Sequence, residues 1–300
     1  MSPRHLLEVD DLTSDELHRV LALAADPVHP GVLAGRTVGL YFEKPSLRTR
    51  HSCEVAVVQL GGHPVTFRTE EVGTASREPL ADIARVLSGY HAVLAGRVYR
   101  HRDLEAWAEV ATVPVVNLLS DLGHPCQAVA DLLTMQERWG DLTGRTLGWI
   151  GDYNNVARSL SLAAARTGMA LRIASPAGYG PTDADVERLL AAGLVEAPYV
   201  TTRPAEAAAG CDAVHTDVWA SMGHEAEAEA RRRAFEGFTV DDAVMAAAAP
   251  RALFMHCLPA HRGEEVSASV VDGPQSVVFP QAHNRLHAFR GVLRFLLEEA

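Results

Sequence analysis

Short apolar runs alternate with amphipathic helical stretches along nearly the whole chain. No other feature restricts the fold as much. Residues 37–42, 64–67, 92–95 and 113–117 read as strands, with helical patterns between them at 80–88 and 103–110. A second series follows, with strands at 147–151, 170–174, 213–216, 252–256 and 276–279 and helices at 156–167 and 185–192. The capping-box pattern Thr13-Ser14-Asp15-Glu16, followed by Leu17, Val20 and Leu21, predicts a first helix near 14–25. Strands alternating with helices predict parallel sheets covered on both faces. The expected class is therefore α/β, with two doubly wound domains, each a central parallel sheet flanked by helices.

A long helical pattern at 127–138 separates the two series, and the turn Gly140-Asp141-Leu142-Thr143-Gly144 closes it. The domain junction is placed there. Residues 1–135, joined by a C-terminal helix at 283–300, form the expected first domain, and 136–282 the second. The stretch 225–233, EAEAEARRR, reads as a solvated charged face.

The 300 residues suit one large or two medium domains, and 48% of them are apolar, ample for cores. A formal net charge of -11 argues against a nucleic-acid surface and makes a local cluster of arginines more telling. No apolar stretch reaches the ~18 residues a membrane span needs. The opening MSPRHLLEVDDL turns acidic where a signal peptide would carry its apolar stretch, so a cytoplasmic protein is expected. The four cysteines, Cys53, Cys126, Cys211 and Cys257, form no CxxC pair and read as reduced thiols. Cys257 has His256 and His261 nearby, but the spacing matches no common zinc pattern, and no metal is expected. Lys44 is the only lysine, so Schiff-base chemistry would have to use it.

In open parallel sheets, ligands bind beyond the carboxyl ends of the strands. Polar groups crowd those ends here: EKPSLRTR after 42, GR after 95, LLSDLGHPCQ after 117, DYNNVARS after 151, DVWASMG after 216, CLPAHRGEE after 256 and PQAHNRLH after 279. Such a set predicts a composite site contributed by both domains. Ser46 can cap a helix that begins near Leu47, where free N–H groups attract phosphate, and Arg48 and Arg50 add guanidinium donors. An ordinary capped, charged helix start reads equally well. GxxxxGK[ST] and GxGxxG are both absent, so neither a Walker loop nor a dinucleotide site is supported. His124, in HPCQ, could donate to a carbonyl oxygen or a phosphate, although most of 14 histidines in a chain are structural or exposed. Asp217 could pair with an α-ammonium group or simply form an Asx turn. Cys257 reads as a site thiol or as inert core.

FEKPSLRTR, HPCQ, GDYNNVA, DVWASMG, HCLPAHRGEEV and QAHNRLHA stand in the order and spacing of the ornithine carbamoyltransferases. The chain resembles that family from Leu6 to the last helix, and SxRTR and HPxQ are shared with aspartate carbamoyltransferases. The resemblance implies a homotrimer that binds carbamoyl phosphate and L-ornithine. It implies carbamoyl transfer to the δ-amine, giving citrulline and phosphate in arginine biosynthesis. No cofactor, nucleic acid or membrane is implied. By resemblance Ser46, Leu47, Arg48, Thr49, Arg50, Arg97, His124, Gln127, Cys257, Leu258 and Arg285 contact carbamoyl phosphate. Arg48, Arg97, His124 and Cys257 are the expected catalytic groups. Leu119, Asn155, Asp217, Ser221 and Met222 form the expected ornithine site.

The sequence departs from the family pattern at several places. Leu47 replaces the usual Thr of SxRTR, and Arg158 stands where Asn or His is usual. Leu118 stands where Gly is usual. Gly73 occupies the place of a polar residue that reaches a neighbouring subunit's site, and Arg77 could compensate. These departures keep two rival readings open: a carbamoyltransferase for another amine, and a non-catalytic metabolite-binding paralogue.

Overall fold

A computed structural model describes residues 3–27, 31–72, 78–220 and 227–298. The chain divides into two compact units, Met1–Leu133 with His283–Ala300, and Thr134–Ala282.

The first unit contains a 3₁₀ turn Val9–Asp11, α1 (Ser14–Ala25), β1 (Thr37–Phe42), α2 (Leu47–Gln59), β2 (His63–Arg68), α3 (Thr69–Val72), α4 (Leu80–Ser88), β3 (Val93–Arg97), α5 (His101–Ala108) and β4 (Val115–Leu119). The helix α6 (Pro125–Trp139) follows and runs past the division into the second unit. The four strands are all parallel, in the order β2-β1-β3-β4. β3 is buried along its length, which explains its continuous apolar sequence, whereas the edge strand β2 is largely exposed. β2 tolerates Pro64, which can donate no ladder hydrogen bond, because it is an edge. The chain reverses direction across the sheet between β1 and β3, so the loops after these strands diverge and leave a crevice at their carboxyl ends. On one side of the sheet Tyr41, Phe67 and Trp107 pack ring against ring.

The second unit contains β5 (Thr146–Ile150), α7 (Asn155–Arg166), β6 (Ala170–Ala174), α8 (Asp183–Ala191), β7 (Tyr199–Thr201), α9 (Pro204–Ala208), β8 (Ala213–Thr216), α10 (Ala228–Ala234), α11 (Asp242–Ala247), β9 (Leu253–His256) and α12 (Ala268–Val271). Its sheet is also parallel, in the order β7-β6-β5-β8-β9, and reverses between β5 and β8. Phe235, Phe238 and Trp219 anchor its core.

The last helix, α13 (Val278–Glu298), returns to the first unit. Its Gly291 lies so close to α1 that a Cβ there would meet the Val20 carbonyl at 2.7 Å. Arg290 and Arg294 donate to the carbonyls of Ala24, Asp26 and Leu23, which satisfies the carboxyl end of α1. Two parallel sheets flanked by helices match the expected class. Among the described residues no helix is long and apolar enough to cross a membrane.

Two sequence expectations are corrected. Residues 276–279 are not a strand: Ser276 makes one isolated bridge to Phe254, and α13 starts at Val278. The run Val277-Val278-Phe279 mimics a strand, but Pro280 sits in the first helical turn, where its missing N–H costs nothing. The stretch 225–233 is not a uniformly solvated face. Arg231 is buried, donates to Asp152 at 2.7 Å and to the Trp219 carbonyl at 3.0 Å, and lies over the Tyr179 ring.

Candidate active site

In the first unit, both strands that flank the sheet reversal deliver polar groups to the same place. Ser46 caps α2, its hydroxyl accepting the Thr49 N–H at 3.4 Å. Thr49 is thereby fixed in the first turn, beyond the end of β1. Arg97 is the last residue of β3. A bulge there sets Gly96 opposite Asn117 and Arg97 opposite Leu119, with Leu118 as the extra, fully buried residue. Arg97 Nη1 and Arg285 Nη2 each lie 3.5 Å from the Thr49 hydroxyl. Arg285 Nη1 also reaches His124 Nε2 at 3.2 Å and the Gln127 side-chain oxygen, while Gln127 donates to Asp131 at 2.7 Å.

Arg97 and Arg285 are 5% and 6% exposed. Two buried guanidiniums converging on one hydroxyl repel each other, and among the described residues Arg285 is ion-paired with no carboxylate. Such an arrangement is satisfied by an anion with several oxygens, such as a phosphate.

A guanidinium can only donate, so His124 Nε2 accepts from Arg285 and the ring proton sits on Nδ1. Burial, then the charges of Arg285 and Arg97, hold this histidine well below its ordinary pKa of 6.5, so it is a neutral donor. The sign of the pH effect follows. Below pH 6.5 the unfolded chain binds a proton at this position that the folded chain refuses. Stability is therefore lost as pH falls, by up to about 1.4 kcal/mol per pH unit from this group. His124→Asn is expected to flatten the slope of unfolding free energy against pH by up to that amount over the pH unit below 6.5, measured by denaturant titration. An identical slope in the variant would mean that the ring is charged in the folded protein.

Some expected residues fall outside this cluster. Arg50 turns to Glu54 at 2.8 Å, and Glu54 also accepts from Thr66. Arg48 and Leu47 are exposed in the first turn of α2, Leu47 at 72%. Leu119 is half-buried opposite Arg97. Lys44 is buried, its ammonium 4.3 Å from the centre of the Tyr99 ring. Gly73 and Arg77 lie outside the described residues. Burial pushes the Cys126 thiol beneath the cluster up to about 12 and raises Cys53 as well, so both are inert.

Sequence reasoning missed the groups that hold this constellation. Asn117 donates to the Leu7 carbonyl at 2.9 Å and to the Ser120 hydroxyl at 3.1 Å. His101 Nδ1 lies 2.8 Å from that hydroxyl, and its backbone N–H donates to Asp121 at 2.7 Å. These bonds fix the turn that leads into His124. An Asn inside an otherwise apolar strand was the available signal.

In the second unit, the strands at the sheet reversal again carry the chemistry. Asp217 follows β8 and is 7% exposed. One of its oxygens accepts from Asn154 Nδ2 at 2.9 Å, the other from the Cys257 thiol at 3.2 Å. Asn154 caps α7, its oxygen accepting the Val156 and Ala157 N–H groups, so the helix cap also holds the carboxylate. Asn154 was not among the expected residues. Its neighbour Asn155 was, and it is half-buried at the start of α7. Leu258, one residue beyond Cys257, has φ +59°, which costs a residue with a Cβ about 1–2 kcal/mol. Arg158 pairs with Asp185, a member of the α8 capping box. Ser221 and Met222 lie outside the described residues.

Asp217, His256 and Cys257 place one ligand atom each within 4.8 Å of one another, as do His261, Glu264 and Glu265. In the first set His256 already uses both nitrogens, Nδ1 for the Leu258 N–H and Nε2 for Glu265, so it has none to give a metal.

Comparison with known proteins gives a consistent result. A family model described as aspartate/ornithine carbamoyltransferase, carbamoyl-P binding domain, matches residues 4–137. The companion model, the Asp/Orn binding domain, matches residues 143–296. A relative from Acidothermus cellulolyticus, named ornithine carbamoyltransferase, is 51% identical over 99% of this chain and 97% of its own. The structure is similar to the ornithine carbamoyltransferase of Pyrococcus furiosus, with a TM-score of 0.93 at 42% identity over 100% and 98% of the two chains. It is also similar to that of Thermus thermophilus, with a TM-score of 0.90 at 43% identity over 99% and 100%.

Proposed function

Because the chain belongs to the aspartate/ornithine carbamoyltransferase family, we propose that it is an ornithine carbamoyltransferase. It transfers the carbamoyl group of carbamoyl phosphate to the δ-amine of L-ornithine, giving L-citrulline and phosphate. The observation that carries this reading is the pair of buried guanidiniums, Arg97 and Arg285, meeting at Thr49 beside the neutral His124.

The neutral δ-amine attacks the carbonyl carbon, forming a C–N bond and placing negative charge on the carbonyl oxygen. The C–O bond to phosphate then breaks, phosphate leaves with the electron pair, and the nitrogen loses a proton. Ser46, Arg48, Thr49, Arg97 and Arg285 hold the phosphate. Arg97, Thr49 and the Nδ1–H of His124 stabilise the oxyanion; donors already fixed by the fold need no reorganisation. Gln127 and the Leu258 carbonyl take the carbamoyl NH2, and Leu119 lines the space between the substrates. Asp217, with Asn155, Ser221 and Met222, takes the amino-acid end of ornithine, and Cys257 lies beside the δ-amine. A buried carboxylate already held by Asn154 is suited to an α-ammonium group.

Leu47 retains its backbone N–H in the first turn of α2, so the lost hydroxyl leaves that donor in place. Carbamoyl phosphate is a mixed anhydride and the ureido product is not, so the chemistry favours citrulline, in keeping with arginine biosynthesis. Four free cysteines suit a reducing compartment, and we place the enzyme in the cytoplasm.

Incubation with both substrates is expected to release citrulline and phosphate in equal amounts; phosphate without citrulline would contradict transfer. The assembly is taken as a homotrimer. Its support here is an exposed apolar stripe on α2, Leu47, Val55 and Val58, with Val65 on the neighbouring edge strand. Light scattering should give three times 32.3 kDa, and a monomer mass would refute the trimer.

A further inference from the structure

Leu258 is the only non-glycine residue with positive φ among the described residues. A side chain with a Cβ adopts that conformation only where its surroundings impose it. The Leu258 N–H donates to Nδ1 of His256, two residues earlier, at 2.9 Å. Nδ1 must therefore accept, which puts the ring proton on Nε2, and Nε2 donates to Oε1 of Glu265 at 3.2 Å. His256 and Glu265 are both fully buried, and Oε1 also accepts the His261 N–H. The His256 N–H donates to Gln281 at 2.9 Å. Residues 256 and 258 are thus clamped to each other and to the core. Cys257 lies between them, its thiol donating to Asp217.

We propose that His256 is a positioning residue: its ring, with the tautomer set by Glu265, holds the Leu258 N–H and so seats the Cys257 thiol on Asp217. The ring is not a proton relay for Cys257, because neither nitrogen is left to receive the thiol proton. The consequence for turnover rests on the ornithine-site reading of Asp217, whereas the seating of the thiol does not.

Asparagine and glutamine separate the two ring nitrogens. His256→Asn keeps an acceptor where Nδ1 stood, and an Asn side chain that accepts the N–H two residues on is an ordinary Asx turn. His256→Gln keeps a polar group only near Nε2, and His256→Ala keeps neither. The rate of Cys257 alkylation by iodoacetamide, followed by peptide mapping, reports the seating without any substrate; the other three cysteines are buried. A thiol whose proton is engaged by a carboxylate alkylates slowly, since the thiolate is the nucleophile.

Alkylation in His256→Asn and in Glu265→Gln, which keeps an oxygen for the ring N–H, is expected to stay within a few-fold of wild type. His256→Gln and His256→Ala, checked for folding by circular dichroism, are expected to alkylate several-fold faster. Their kcat/KM for ornithine should fall by about a hundredfold, the scale of a 1 Å misplacement. If Gln behaves as wild type and Asn as Ala, or if all variants alkylate alike, the positioning role is overturned. Should alkylation follow the expected order while no form makes citrulline, the clamp stands and the functional reading fails.

Discussion

Arg97→Ala is expected to lower kcat/KM for carbamoyl transfer by about three orders of magnitude while leaving the fold intact. The loss follows from what the side chain is placed to do. It ends β3 at the sheet reversal, is 5% exposed, and has one guanidinium nitrogen at the Thr49 hydroxyl. Removing a single fixed donor to an oxyanion costs about 10²–10³, and this group is assigned to the leaving phosphate as well. The fold should tolerate the change, because Arg97 is packed near a second buried cation, Arg285, and the charge removed is one that the neighbour opposes. Steady-state kinetics with thermal unfolding tests both halves. A variant within about tenfold of wild type would show that the phosphate and oxyanion roles are misassigned. A collapse of the melting temperature would show that Arg97 is a structural ion instead.

Asp217→Asn should separate the two substrates. The amide is isosteric, and one orientation satisfies both neighbours: its oxygen accepts from Asn154 Nδ2 while its NH2 meets the Cys257 sulfur. What is lost is the negative charge for the α-ammonium group. Removing one partner of a buried charge pair costs about 2–5 kcal/mol, so kcat/KM for ornithine should fall by roughly thirty- to several-thousand-fold. Carbamoyl-phosphate affinity, measured by calorimetry without acceptor, should be unchanged. Equal losses for both substrates would contradict an ornithine-specific role.

Much of the architecture was legible because a buried parallel strand has to be apolar on both faces. β3, β4, β5 and β8 stand out as short apolar runs for that reason. β7 escaped notice because its three residues are largely exposed, so burial left no imprint on them. Residues 276–279 misled for the opposite reason: β-branched residues at a helix start look like a strand until Pro280 is weighed. At the site, Thr49, Arg97, His124, Gln127 and Arg285, all singled out by the motifs, do meet in one cluster. Arg50 is bound by Glu54, an ion pair one helical turn along that a nearest-motif reading overlooks. The supporting residues were harder to read: Asn117 showed only as a polar residue in an apolar strand, and His101 and Asn154 find their partners, Ser120 and Asp217, far along the chain.

Acceptor identity is decided by the initial rate of carbamoyl transfer from carbamoyl phosphate to L-ornithine, with N-acetylornithine, putrescine and aspartate in parallel. Turnover is expected to require both carbamoyl phosphate and L-ornithine, with kcat/KM for L-ornithine far above that for the other three. Preference for another amine, or carbamoyl-phosphate binding with no turnover of any, would show that the protein is not an ornithine carbamoyltransferase.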